Sequence, residues 1–457
     1  FAVEASIEPH FSGREWKGAG TAIPVFSLRT EDDFGVGEFY DLKKMVDWAV
    51  ETGQCIIQLL PINDTTMTGT WKDSYPYNPN STFALHPQYI HLPAAGVEVD
   101  DEYLALQDEL NSLDKIDYVE VNRIKLEMLR KAYDRNFVKL VHKKSYKEFI
   151  AKNGSWLFPY AAFCVLRDMN GTPDFTQWKA YAKYNASMVE AFCADHKKEV
   201  NFWCFVQYHL DAQLSEVCRY ANENGVIFKG DLPIGISRTS VDAWMHPELF
   251  HMNSQAGAPP DAFSNFGQNW GFPTYNWEKM AKDSYAWWKA RLAKMAEYFD
   301  AFRIDHVLGF FRIWEIPIDA VHGLLGYFNP ALPYSAEELA SYGFDMDEGK
   351  WTTPLTSDRV LWGIFGDYAE EAKSTYFKNG RILPAYNTQR KVMEKITGYD
   401  EKSVVMRDGL LALLDDVLFI EDPRKKGYYH PRISGQQTYI YRSLDAYRRS
   451  AFDTLYS

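Results

Sequence analysis

The chain has 457 residues, with 49 Lys plus Arg against 62 Asp plus Glu, so its formal charge is −13. That balance excludes an electrostatic nucleic-acid binder, which needs a basic footprint, and a binder of anionic membrane surfaces. Hydrophobic residues make up 46% and charged residues 24%, which at this length excludes disorder as the main state.

The first elements read as β-α-β. Gly20–Leu28 (GTAIPVFSL) is an apolar run suited to a buried strand. Asp32–Gly37 (DDFGVG) is a glycine-bearing loop, and Leu42, Met45, Val46 and Ala49 then recur at helical spacing. Gly53 is placed to stop that helix, and Cys55–Leu60 (CIIQLL) follows as a second strand closed by Pro61. The segment 97–199 is lysine-rich and helical in pattern, as in VNRIKLEMLRKAY, and reads as an inserted helical subdomain. Leu210, Leu214, Val217 and Ala221 mark a helix that Gly225 ends, and Val226–Phe228 starts a strand running into GDLPIG (Gly230–Gly235). Trp288, Leu292, Met295, Ala296 and Phe299 mark another helix, followed by a strand at Asp300–Asp305. Strands repeatedly preceded by helices imply parallel pairing and an α/β class. After Ile318 the pattern is less regular, with a Leu-rich helix near Arg407–Leu414 and a short strand candidate at Val417–Ile420. The expected parts are 1–96, 97–199, 200–320 and 321–457.

No run approaches the ~18 to 20 apolar residues of a transmembrane helix, and no charged-then-apolar leader opens the chain. The first residue is Phe1, so lost targeting segments stay open. The cysteines Cys55, Cys164, Cys193, Cys204 and Cys218 are odd in number and form no C-x-x-C. Free thiols in a reducing, cytoplasmic compartment are the expectation.

Aromatic residues are 16% of the chain. Large rings mostly serve core and interface packing, but they also suit a carbohydrate site, because sugar rings present C–H faces that pack on aromatic faces.

Candidate chemistry gathers in four segments. In AFRIDHVLGFF (Ala301–Phe311), Arg303 and Asp305 are two apart on a strand and therefore share a face. They sit at its C-terminal end, where barrel enzymes place catalytic groups. A guanidinium beside a carboxylate favours the ionised form, as a glycosyl nucleophile requires; the same spacing also suits a structural ion pair. His306 follows, as ligand donor or core residue. Asp231 of GDLPIG lies at another strand end, where it also suits a helix cap. The loop Pro259–Tyr275 (PPDAFSNFGQNWGFPTY) interleaves Asp261, Gln268 and Asn269 with Phe263, Phe266, Trp270 and Tyr275. That mixture suits a polyhydroxylated ligand or a packed surface loop. Tyr75 and Tyr77 of DSYPYNPNSTFA follow the second strand. His246 and His251 flank PELF without a third ligand at metal spacing. There is no Walker loop and no G-x-G-x-x-G after a strand.

Taken in order, the blocks FGVGEFYDL, GQCIIQLLPIND, SYPYNPNSTFALHPQYI, GDLPIGIS, DAWMHPELFH, GAPPDAFSNFGQNWGFPTYNW and FDAFRIDHVLGFFRIWEIP resemble the amylomaltase family of 4-alpha-glucanotransferases. They cover most of Gly20–Pro317 outside the helical insertion. The segment after Pro317 is similar to the large two-part branch, which includes the plant cytosolic enzyme and bacterial relatives and often carries starch-binding modules ahead of the barrel. The resemblance implies a (β/α)8 barrel with helical insertions and retaining transfer of α-1,4-glucan segments. By motif, Asp305 matches the nucleophile, Arg303 its positioning partner and Asp231 the aspartate supporting that arginine. Tyr77, Asp261, Phe263, Gln268 and Trp270 fall in blocks lining the sugar sites, and His306 matches a histidine near the nucleophile. Malto-oligosaccharides and α-glucans are the implied partners, with neither metal nor organic cofactor.

The chain departs from the family at the acid/base glutamate. The expected G-E-D-L-G-like strand end is missing; Glu421 stands in FIEDPRKKG, and Glu315 of WEIP is a family position but not the acid. Four barrel strands are countable, near Thr21, Ile56, Ile227 and Phe302, and four cannot close an eight-strand barrel. The expectation is therefore the first half of the barrel, with the acid/base residue beyond Ser457. Two other readings compete: a catalytically silent glucan-binding module, and an α-glucan hydrolase.

Overall fold

The computed structural model describes residues 17–456. It divides into two compact units. The first holds the described residues up to Pro233, with Thr239–Met245 and Tyr285–Asp305. The second holds Ile234–Arg238, His246–Ser284 and the described residues from His306 onward.

The first unit is built on a parallel sheet of four strands in the order Gly20–Ile23, Ile56–Leu59, Ile227–Leu232 and Ala301–Ile304. The α/β class is therefore observed. The first strand is shorter than the apolar run that encodes it. It stops at Ile23 because Pro24 carries no N–H to donate to the ladder, and a 3-10 turn takes over at Val25–Ser27. The helix Asp41–Glu51 buries Leu42, Val46 and Ala49, and Gly53, at φ +70°, supplies the left-handed residue that ends it. Helices Asp101–Asn111, Tyr118–Leu140, Lys144–Asn170 and Ala186–Asp195 follow, and then Lys197–Glu223, which leads into the third strand.

That last helix positions the chain beyond the second strand. The Gln207 amide accepts from the Leu85 N–H at 2.9 Å and donates to the Leu85 carbonyl at 2.8 Å. Gln213 does the same for His91, at 2.8 and 3.0 Å. Asp242 takes both the backbone N–H and the hydroxyl of Thr82, each at 2.9 Å. These bonds replace the regular ladder that an irregular buried segment lacks, and they fix the stretch following Tyr77.

In the third strand Gly230 lies against the Phe299 ring, and a Cβ there would stand 2.2 Å from Phe299 Cδ2. Gly230→Ala is expected to destabilise the protein by about 1–3 kcal/mol through overpacking. Denaturant unfolding checks this; an unchanged midpoint would contradict it.

The second unit carries an antiparallel sheet in the order Tyr327–Asn329, Ile313–Pro317, Ser254–Ala258 and Gln268–Asn269. A smaller sheet joins Tyr334–Ser335, Tyr428–Pro431 and Phe419–Glu421. The Leu-rich pattern near Arg407 is the later part of a helix at Glu401–Leu414, and the strand expected at Val417–Ile420 lies at Phe419–Glu421. Among the described residues no helix is long and apolar enough to cross a membrane, and all five cysteines are free.

Candidate active site

The parallel register pairs Asp231 with Arg303 on neighbouring strands. Directly paired residues project to the same face, so carboxylate and guanidinium meet. Arg303 reaches Asp231 Oδ2 with one nitrogen at 2.6 Å and Asp305 Oδ1 with the other at 3.1 Å. The Tyr77 hydroxyl donates to the same Asp231 oxygen at 2.7 Å. The structure thus brings Tyr77, Asp231, Arg303 and Asp305 into one network at the C-terminal ends of the strands. The Asp305 N–H donates to the Leu232 carbonyl at 3.3 Å, which seats it just past the 301–304 strand.

Burial grades the network. The Asp231 side chain is fully covered, whereas Arg303 is 38% and Asp305 24% exposed, so the two carboxylates have different tasks. Burial raises the Asp231 carboxyl above its ordinary value, against the opposing pull of Tyr77 and Arg303. Burial, then the Asp231 bond, raises the Tyr77 hydroxyl. Asp231 Oδ1 has no hydrogen-bond partner among the described residues. Asp305, partly open, is the carboxylate a ligand can reach.

The segment before Tyr77 is shaped by Asp73. Its carboxylate accepts the N–H groups of Met67, Thr68 and Gly69, at 3.0, 2.9 and 2.8 Å. This turn presents Trp71, 71% exposed, and Tyr75, 60% exposed, the latter ring 5.8 Å from that of Tyr77. Sequence reasoning did not find the role of Asp73; its signal is an Asp followed by a ring-bearing turn.

In the second unit the loop residues lie as follows. The Asp261 carboxylate accepts from the backbones of Phe263 and Ser264, both at 2.8 Å, and so shapes its own turn. Phe263 is 97% exposed. The Gln268 side-chain oxygen accepts the Trp270 indole N–H at 3.0 Å. Trp270 meets the His306 ring edge-on, with centroids 4.8 Å apart. His306, the residue after Asp305, has φ +48°, a left-handed backbone that costs a non-glycine residue energy and concentrates at functional sites. Glu315 is fully buried and accepts from Ser254, Thr274 and Arg424, an engaged carboxylate that ties the sheet together. Glu421 accepts the Gly427 N–H from the end of its strand in the small sheet. Among the described residues no group of three or more His, Cys, Asp or Glu is placed to hold a metal ion.

The Arg-bridged carboxylate pair lies at the C-terminal ends of parallel strands, the place where barrel enzymes put catalytic groups and one that a structural ion pair also fits. A family profile described as 4-alpha-glucanotransferase, glycoside hydrolase 77, matches residues 23–408, and the chain belongs to that family. The 4-alpha-glucanotransferase DPE2 of Oryza sativa subsp. japonica is 42% identical over 462 residues, covering 96% of this chain and 48% of the rice protein. The 4-alpha-glucanotransferase of Chlamydia caviae is 37% identical over 302 residues, covering 65% of this chain and 56% of that protein. That of Aquifex aeolicus is 30% identical over 406 residues, covering 80% and 79%. The chain thus spans about half the length of the rice and chlamydial relatives. Among solved structures, the amylomaltase from Streptococcus agalactiae in complex with acarbose matches with a TM-score of 0.62 at 20% identity, covering 96% of this chain and 98% of that one. The amylomaltase from Corynebacterium glutamicum matches with a TM-score of 0.58 at 22% identity, covering 68% and 44%. These two likenesses are of fold.

Proposed function

We propose that this chain supplies the nucleophile for retaining transfer of α-1,4-glucan segments between malto-oligosaccharides or onto glucan acceptors. The observation that carries the reading is the Arg303 fork, which holds a half-open Asp305 beside a covered Asp231. Asp305 is the nucleophile. One of its oxygens bonds to the anomeric carbon as the glycosidic bond breaks, giving a β-glucosyl ester, and a carboxylic acid about 5 Å across the bond protonates the departing oxygen. The same group then takes the proton of an incoming sugar hydroxyl, which displaces Asp305 and restores the α configuration. Arg303 orients Asp305, and Asp231 with Tyr77 orients Arg303. Phe263, Gln268, Trp270, Asp261 and His306 belong to the sugar sites. This chemistry needs two carboxylates and a hydroxyl, and no cofactor.

Asp231 is occupied by Arg303 and Tyr77, so the acid/base is a carboxylate outside this network. We read the four parallel strands as the first half of a (β/α)8 barrel and assign the acid/base to a strand other than these four. Five free cysteines support a reducing, cytoplasmic setting.

The test is a chromatographic product profile from maltotriose, with and without glycogen. Transfer yields shorter and longer chains at constant total reducing ends; a steady rise in reducing ends would mean hydrolysis instead. Trp270→Ala is expected to raise the acceptor KM about tenfold, the equivalent of one aromatic contact. Initial rates against acceptor concentration check it, and an unchanged KM would remove Trp270 from the site.

A further inference from the structure

We propose that His322 is a positioning residue that sets the place of the aromatic loop, and through it the affinity for acceptor glucan; this rests on the acceptor role proposed above for Trp270 and Gln268. The loop lies along the segment 320–324. The Phe266 ring stacks on the His322 imidazole, with centroids 4.5 Å apart and planes 28° apart. The Leu324 N–H donates to the Phe266 carbonyl at 3.0 Å, and the Asn269 amide donates to the Val321 carbonyl at 3.2 Å. Gly267 and Gly323 pass so closely that a Cβ on Gly323 would stand 3.0 Å from Gly267 Cα. Trp270 follows directly, so the segment fixes the start of the stretch that carries it.

The segment is held from behind by two helices that lie far along the chain. Gln389, 1% exposed, accepts the N–H groups of Val321 and His322 at 2.8 and 2.9 Å. Its amide nitrogen donates to Asp415 Oδ1 at 2.8 Å. The other Asp415 oxygen lies 2.6 Å from His322 Nδ1. A contact that short holds the imidazole plane in place against the Phe266 ring. The segment also borders a cavity of about 620 Å³, lined in part by Asp319, Ala320, Leu325, Gln389 and Leu414. The Trp314 indole donates to the Gly323 carbonyl at 2.9 Å and the Gln255 amide to the Ala320 carbonyl at 3.0 Å, so the two ends of the segment have their own anchors, and the Gln389 and Asp415 bonds hold the Val321–His322 step between them.

The test measures donor KM, acceptor KM and kcat for His322→Ala, His322→Phe and Trp270→Ala in the full-length protein, with melting temperatures alongside. His322→Ala is expected to raise acceptor KM about three- to tenfold, the range of one lost ring contact, with a smaller change in kcat and in donor KM. His322→Phe keeps a ring on Phe266 but loses the Asp415 bond, so it recovers part of the loss. If His322→Ala does not fold, an acceptor KM for His322→Phe raised above wild type carries the proposal. Wild-type acceptor KM in a folded His322 variant, with Trp270→Ala impaired, overturns the positioning role alone. Wild-type acceptor KM in Trp270→Ala overturns the acceptor reading of the loop and the positioning role with it.

Discussion

Asp305→Asn is expected to lower the rate of glucan transfer by at least about 10⁴-fold, the scale on which removal of a covalent nucleophile is felt. The amide is close in size to the carboxylate and still offers an oxygen to Arg303, so the ion-paired geometry changes little. Asp305 is 24% exposed and sits past the end of its strand, so folding does not depend on it. Oligosaccharide affinity and melting temperature should stay near wild type. Loss of transfer with affinity retained is the signature of chemistry at Asp305. Persistent transfer would place the nucleophile elsewhere.

Arg303→Leu is expected to produce the second largest effect, and on two quantities at once. Transfer should fall about 10²-fold, because Asp305 loses the group that aims it and near-attack geometry is sensitive to small misplacement. Stability should fall as well, because among the described residues the covered Asp231 side chain keeps only Tyr77 as partner. Breaking a buried pair costs ~3–5 kcal/mol; Arg303 is 38% exposed, and solvent screening reduces the expectation to ~1–2 kcal/mol. The loss depends on pH. Burial raises the Asp231 carboxyl in the folded state, and Arg303 opposes that rise. A carboxyl raised on folding contributes stability below its unfolded value of ~3.9, and that contribution is lost as pH rises through the folded value. Without Arg303 the folded value climbs further. The variant should therefore be nearest to wild type in acid and furthest from it near neutrality. Denaturant titrations near pH 4 and pH 7 measure this; a deficit that grew toward acid would contradict it.

The features legible in the residues share a physical reason. The strands at Ile56 and Ile227 each lie between a glycine and a proline stop, Gly53 and Pro61 for the first and Gly225 and Pro233 for the second, and the strand at Ala301 follows a helical apolar repeat. Arg303 and Asp305 meet because side chains alternate along extended backbone, which spacing alone reveals. Asp231 could be placed at a strand end, but its meeting with Arg303 depends on the register between two strands about seventy residues apart in the chain. The clamps of Gln207 and Gln213 each join residues 122 apart, and the His322–Asp415 bond spans 93. A polar residue on a helix carries no sign of which distant backbone it serves. The sheets after Pro317 use strands of two to four residues, too short for an alternation to register. Where the first strand stops was legible in Pro24, and the apolar run around it concealed the stop.

The most direct measurement is covalent trapping with 5-fluoro-α-glucosyl fluoride, followed by mass spectrometry of the digested protein. Fluoride departs without a proton, so the first step depends on the nucleophile and not on the acid/base, and the ring fluorine slows release of the ester. One fluoroglucosyl adduct is expected, on the peptide containing Asp305 and absent from Asp305→Asn. An adduct on another carboxylate, or none while the protein transfers glucan, would contradict it.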